Sequence, residues 1–170
     1  MDKNININIE AKNSDNFLMQ EHAHFNFTHF VEMAKEKKYI EYRNYESTWS
    51  DYKKSKLIES LILNVPLPPI IVYEKSYNVY EFITGINRTK SFQDFLDNKF
   101  ALTGLNYWKA LNGKSYSEIE ETVLHIIFRR KIHWIAIHNN NKNSKLIRKI
   151  ITDLLTCLLY TSPSPRDLAQ

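Results

Sequence analysis

The 170-residue chain predicts an α+β fold: a small mixed β-sheet with helices packed against it. Three observations predict it. Ile70 to Tyr73 and Val79 to Ile83 are β-branched and aromatic runs separated by the short turn Lys75 to Asn78, which reads as a hairpin. The segments before and after it space their apolar residues at helical intervals, Ile58, Leu61, Ile62 and Val65 on one side and Phe92, Phe95 and Leu96 on the other. Lys131 to His138 then alternates as a further strand, with Ile132, Trp134, Ala136 and Ile137 as its apolar positions.

In chain order, residues 1–38 read as a polar, Asn-rich arm followed by a short helix. Ile5, Ile7 and Ile9 alternate as an edge strand or a loose arm, and Phe30, Val31 and Ala34 mark the helix, which ends in the basic run Lys35 to Lys38. His22, His24 and His29 invite a metal reading. No carboxylate or cysteine follows at ligand spacing, so a loose or half-buried surface is the expectation and no metal site is assigned. Ser55 is the expected cap of a helix running to about Asn64, which Val65-Pro66 ends because a residue before proline avoids the α region. Pro68 and Pro69 force an extended approach to the first hairpin strand.

Gly85 follows the second hairpin strand directly, and a helix begins at once. A strand passing through glycine into a helix leaves unpartnered N–H groups at the positive end of the helix dipole, a ready site for an anion. Arg88 lies in the same turn and can fork two donors onto a phosphate or carboxylate. On pattern alone, one glycine and one arginine favour a tight turn with a surface arginine. Asp97-Asn98 is expected to end this helix, and Phe100 to Leu102 to form a short strand. Asn112-Gly113 is expected to turn, and Ser115 or Ser117 to cap a helix that includes Ile119. His133 and His138 are expected at an edge or surface of the Lys131 to His138 strand. Asn139 to Asn143 reads as a loop and Lys145 to Leu155 as a helix with one apolar stripe.

With its flanks, S-K-L-I-E-S-L-I-L-N-V-P-L-P-P-I-I-V-Y-E before it and F-A-L-T-G-L-N-Y-W-K-A-L-N-G-K-S-Y-S-E-I after it, the turn resembles the N-terminal domain of GmrSD-type restriction endonucleases, within the ParB/sulfiredoxin-like superfamily. The likeness spans roughly residues 39–120. The family's D-G-Q-Q-R stands here as T-G-I-N-R, Thr84 to Arg88: glycine and arginine match, Thr84 replaces the aspartate, and Ile86 and Asn87 replace the glutamines. Arg43, Tyr45 and Trp49 resemble the family's Q-R-x-Y-x-W signature, with the spacing to Trp49 two residues longer. The resemblance implies a nucleotide-binding regulatory domain of a DNA-restriction or phage-defence protein. Thr84, Gly85, Asn87, Arg88 and Arg43 would meet the phosphates, a nucleoside triphosphate with magnesium would be the ligand, and DNA would be a partner of the whole protein. It implies a nuclease-type region C-terminal to this domain. The replaced aspartate leaves hydrolysis open, because a carboxylate there can hold magnesium or activate water and a threonine hydroxyl does neither well. The alternative is a non-enzymatic DNA-binding or protein-interaction domain on the same scaffold.

Composition limits the other classes. A net charge of +4 permits a nucleic-acid or nucleotide partner without requiring one. No apolar run approaches a membrane span, and M-D-K-N-I-N-I-N-I-E has no signal-peptide core, so the expected location is the cytoplasm and no membrane partner is expected. With 3 glycines the chain has no Walker loop and no Rossmann fingerprint. Cys157 to Asp167, C-L-L-Y-T-S-P-S-P-R-D, resembles the translation of a transposase sequencing adapter, and the AT-rich codon character of the body stops there. Residues 157–170 are therefore expected to be foreign, and residues 39–156 to be a domain incomplete at its C-terminal end. The single cysteine falls in that tail and carries no redox or metal argument.

Overall fold

The structure is a computed structural model that describes residues 18–36 and 46–138, together with Lys149, Ile151 and Asp153. The chain divides into two compact units, Gln20–Ile137 and a second built from Met1–Met19 with His138–Gln170. Of the second, few residues are described, with Lys149, Ile151 and Asp153 helical within the expected Lys145 to Leu155 helix. The expected strand at Ile5 to Ile9, the loop at Asn139 to Asn143, the boundaries at 38/39 and 156/157, the foreign tail and Arg43 all lie outside the described residues.

Among the described residues within 19–138 the strands and α-helices follow one another as β1 (Met19–Asn26), α1 (Phe27–Lys35), α2 (Asp51–Ile62), β2 (Ile70–Ser76), β3 (Val79–Thr84), α3 (Ile86–Leu96), α4 (Glu121–Phe128) and β4 (Lys131–His138). The sheet order is β1-β4-β2-β3. β2 and β3 form an antiparallel hairpin, closed at Tyr77-Asn78 by an asparagine at φ 57°. β2 and β4 run parallel, with Ile70 opposite Trp134 and Tyr73 opposite Ile137. The sheet is thus mixed and the fold α+β, as the alternation and helical spacing predict.

Phenylalanines join the layers. Phe27 and Phe30 of α1 and Phe92 and Phe95 of α3 are fully buried. Phe27 meets Phe92 edge-on at 5.1 Å and Phe30 meets Trp134 of β4 at 6.1 Å, the perpendicular geometry that ring quadrupoles favour. Helices α2 and α3 end alike. In each, an asparagine in the left-handed region, Asn64 or Asn98, follows the cap, and the next amide reaches back: Val65 N–H to the Ser60 carbonyl and Lys99 N–H to the Asp94 carbonyl, both at 2.9 Å.

Several local expectations are corrected. Ser50, not Ser55, caps α2, accepting from the Lys53 amide, because D-Y-K-K extends the helix one turn upstream. Ser55 is fully buried, where its hydroxyl donates to the Asp51 carbonyl at 2.6 Å and accepts from the Thr103 amide at 2.9 Å. Phe100 to Leu102 is not a strand. Leu102 exchanges bonds with Gly113 and Lys114 but no neighbouring residue extends the ladder, and Phe100 and Leu102 are apolar because they plug the core. Ser115 opens only the 3-10 turn Tyr116–Glu118, since the Glu118 carboxylate takes both the Ser115 amide and hydroxyl; Ile119 is extended and α4 starts at Glu121. The histidine-rich segment is a half-buried surface, as expected, but forms the strand β1, and the helix that holds Phe30, Val31 and Ala34 starts at Phe27. His133 lies half-exposed on a face of the sheet, not at its edge, because β4 lies between β1 and β2. It stacks on His24 at 4.4 Å and tilts against His22 at 5.8 Å. Burial, then those two neighbours, hold the His133 pKa below its usual value. Among the described residues no helix is long and apolar enough to cross a membrane.

Candidate anion site at the Gly85 turn

β3 ends at Thr84 and α3 opens at Ile86, with Gly85 between them at φ 92°. Two constraints demand glycine. L-residues seldom adopt that φ, and a Cβ at this position would lie 2.4 Å from Ile70 Cδ1. The first helical bond runs from the Thr89 amide to the Gly85 carbonyl at 2.9 Å. The amides of Ile86, Asn87 and Arg88 precede it and have no intrahelical acceptor.

Arg88 folds back over the glycine, its Nη2 being 3.3 Å from where a Gly85 Cβ would stand. Nη1 donates to the Pro68 carbonyl, and Nη2 to the Pro69 carbonyl at 2.9 Å. The guanidinium is therefore a half-buried clasp on the Pro-rich approach to β2, not a loose surface side chain. Burial lowers its pKa from the usual arginine value. Among the described residues no carboxylate lies within salt-bridge distance of it. The other two side chains of the turn are also anchored. Thr84 Oγ1 accepts from the Ile71 amide at 3.3 Å. Asn87 Oδ1 accepts from the Thr48 amide at 3.0 Å and from the Ser47 hydroxyl at 3.3 Å. Among the described residues its carboxamide NH2 has no acceptor.

The structure thus brings Thr84, Gly85, Asn87 and Arg88 together on one turn. Thr48 carries its neighbour Trp49 toward the turn, where Lys53 sits over the Trp49 ring at 4.4 Å. A cleft of about 350 Å³ shares Ser47 and α3 with the turn and is lined by Lys54, Lys90 and Lys99 against Glu46 and Asp94. Asp94 pairs with Lys54 at 3.0 Å and with Lys99 at 3.4 Å. Sequence reasoning missed the partners of Arg88 and Asn87. The signal for the first was P-L-P-P, an extended segment whose carbonyls find no helical donor; the signal for the second was Ser47-Thr48, small donors ahead of a helix cap.

The donors present fit the anionic part of a nucleotide: amides at a helix start, a carboxamide NH2 and a fixed guanidinium. They do not fit its magnesium. The Thr84 hydroxyl already serves Ile71, and among the described residues no group of three or more His, Cys, Asp or Glu is arranged to hold a metal ion. Comparison with protein-family models, with curated proteins and with solved structures gives no match for this chain.

Proposed function

We propose that this chain is a nucleotide-binding regulatory module of a GmrSD-like DNA-restriction or phage-defence protein, which holds a phosphate group at the Gly85 turn without hydrolysing it. The observation that supports this best is Arg88. A half-buried guanidinium stands at the positive end of the α3 dipole with carbonyls but, among the described residues, no carboxylate for company. Buried charges are normally paired, and a phosphate oxygen is the partner this position calls for. Gly85 lets an anion approach the backbone, and Asn87 offers its NH2. Thr84 has no carboxylate to take a proton or hold a metal ion, which favours binding without turnover.

Titration with nucleoside triphosphates, with and without magnesium, tests the reading. Arg88→Ala is expected to weaken binding by about 1.5–3 kcal/mol, with Arg88→Lys between it and wild type. Circular dichroism on each variant separates lost affinity from lost fold, since Arg88 also ties down Pro68 and Pro69. Equal affinity of folded wild type and Arg88→Ala would remove Arg88 from the site, and brisk hydrolysis by wild type would overturn the silent role of Thr84.

A second reading is favoured by one observation. The side-chain oxygens of Thr84 and Asn87 and both terminal nitrogens of Arg88 already have internal partners. That suits a rigid scaffold whose partner is DNA or another protein. Saturable binding of duplex DNA unaffected by Arg88→Ala supports this reading over the first.

A further inference from the structure

A cavity of about 480 Å³ opens between α1 and the sheet. It shares no residue with the Gly85 turn, and its chemistry is opposite in sign. Three rings form its inner corner. Trp134 of β4 is met edge-on by Tyr80 of β3 at 5.5 Å and by Phe25 of β1 at 6.0 Å. Glu21, Glu32 and Glu36 line the same space with His29, and among the described residues its walls hold no lysine or arginine. In a chain of net charge +4 this is a local reversal of sign.

The carboxylates are placed against their own electrostatic interest. Glu32 and Glu36 stand one helical turn apart, where like charges repel. Both lie at the C-terminal end of α1, where the helix dipole is itself negative. The one basic residue of that last turn, Lys35, is drawn off to Asp97 at 2.6 Å. Among the described residues neither Glu32 nor Glu36 has a salt bridge or side-chain hydrogen bond of its own. On the opposite wall, burial together with Glu74 and Glu21 raises the Tyr80 pKa, so its hydroxyl stays protonated as the cavity's polar tip. The volume lies in the range of small-molecule pockets. Aromatic walls beside Glu32 and Glu36 select a cation with an apolar body, which a bare metal ion lacks.

We infer that this cavity binds a small organic ammonium cation, its alkyl body against Phe25, Tyr80 and Trp134 and its charge toward Glu32 and Glu36. Calorimetric titration of the full chain with choline, putrescine and the neutral choline isostere 3,3-dimethylbutan-1-ol tests it. One-site, saturable binding of choline or putrescine is expected, at least about tenfold tighter than the isostere. The double variant Glu32→Gln/Glu36→Gln alters two exposed side chains, so it folds. It is expected to weaken the cations about tenfold and to leave the isostere unchanged. Equal affinity for choline and the isostere, cation binding indifferent to the double variant, or no saturable binding of either amine up to about 10 mM would each overturn the inference.

Discussion

Arg88 and Arg130 make the same clasp in opposite fields. Each turns its guanidinium onto two consecutive backbone carbonyls: Arg88 onto Pro68 and Pro69, Arg130 onto Leu61 at 2.8 Å and Ile62 at 2.9 Å. The Leu61 and Ile62 carbonyls end α2, where the dipole is negative; Leu61 accepts from the Asn64 amide at 3.1 Å, and the Ile62 carbonyl lies past the last helical donor. Arg130 therefore gives the Ile62 carbonyl its donor, adds a second to Leu61 and neutralises the helix end. Arg88 closes its clasp at the start of α3, where the dipole is positive. Equal hydrogen bonding leaves one charge compensated and the other exposed to a field of its own sign. The first is a structural brace; the second is a brace with positive potential to spare.

The comparison is broken most directly by alanine at each position. Arg130→Ala is expected to destabilise by about 2–4 kcal/mol, because two partly buried charge-assisted bonds vanish and the Ile62 carbonyl loses its donor, while Leu61 keeps the Asn64 amide. Arg88→Ala is expected to cost less than half as much, because removing an uncompensated charge returns part of its desolvation. Urea midpoints at neutral pH read both, and equal losses would mean that the surrounding field does not matter.

A third charge sharpens the point. Glu59 is almost wholly buried, and its carboxylate accepts from the Tyr107 amide at 2.8 Å, the Trp108 amide at 3.2 Å and Lys56 Nζ at 2.9 Å. Burial pushes its pKa up, but Lys56 and the two amides outweigh it and hold the pKa below the usual carboxylate value. The sign follows. A depressed folded-state pKa contributes stability that is fully present above the unfolded value of about 4.3 and is lost as pH falls through the folded one. Wild type is expected to lose stability below about pH 4.5, and Glu59→Gln to be less stable at neutral pH but flatter across that acid range. Parallel curves for the two proteins would take Glu59 out of the acid response.

The smallest effect concerns the spare potential itself. Sulfate at ten times its dissociation constant is expected to stabilise wild type by about 1.4 kcal/mol and to leave Arg88→Ala unmoved. Thermal melts at constant ionic strength distinguish this from screening. A gain of equal size in both proteins places the anion elsewhere.

The sequence made the hairpin, the Gly85 turn, α2, α3 and β4 legible, because each is written in local periodicity or in a residue with a restricted backbone. Strand β1 was hidden. In M-Q-E-H-A-H-F-N only Ala23 and Phe25 turn to the core, and three polar residues precede them. Phe100 to Leu102 misled in the opposite direction, since buried apolar residues in a loop look like those of a short strand. At the turn, the glycine, the arginine and the helix start could be read. The acceptors of Arg88 could not, because backbone carbonyls carry no residue identity and nothing local says that Pro68 and Pro69 lie over Gly85. The ring-walled cavity was out of reach for a related reason: its lining is gathered from residues between Glu21 and Trp134 on separate elements.

The parallel pairing of β2 with β4 has a consequence in time. The hairpin of β2 and β3 closes across two residues and needs nothing else. β4, which completes the sheet between β1 and β2, stands about sixty residues beyond its β2 partner. Contacts so distant along the chain form slowly, because the loop entropy is lost before the pairing rewards it. On a ribosome the hairpin therefore waits, the open edge of β2 with Ile70 and Val72 bare, until β4 emerges. For that interval the nascent chain offers a template for stray strands, and a holding chaperone would find its grip there.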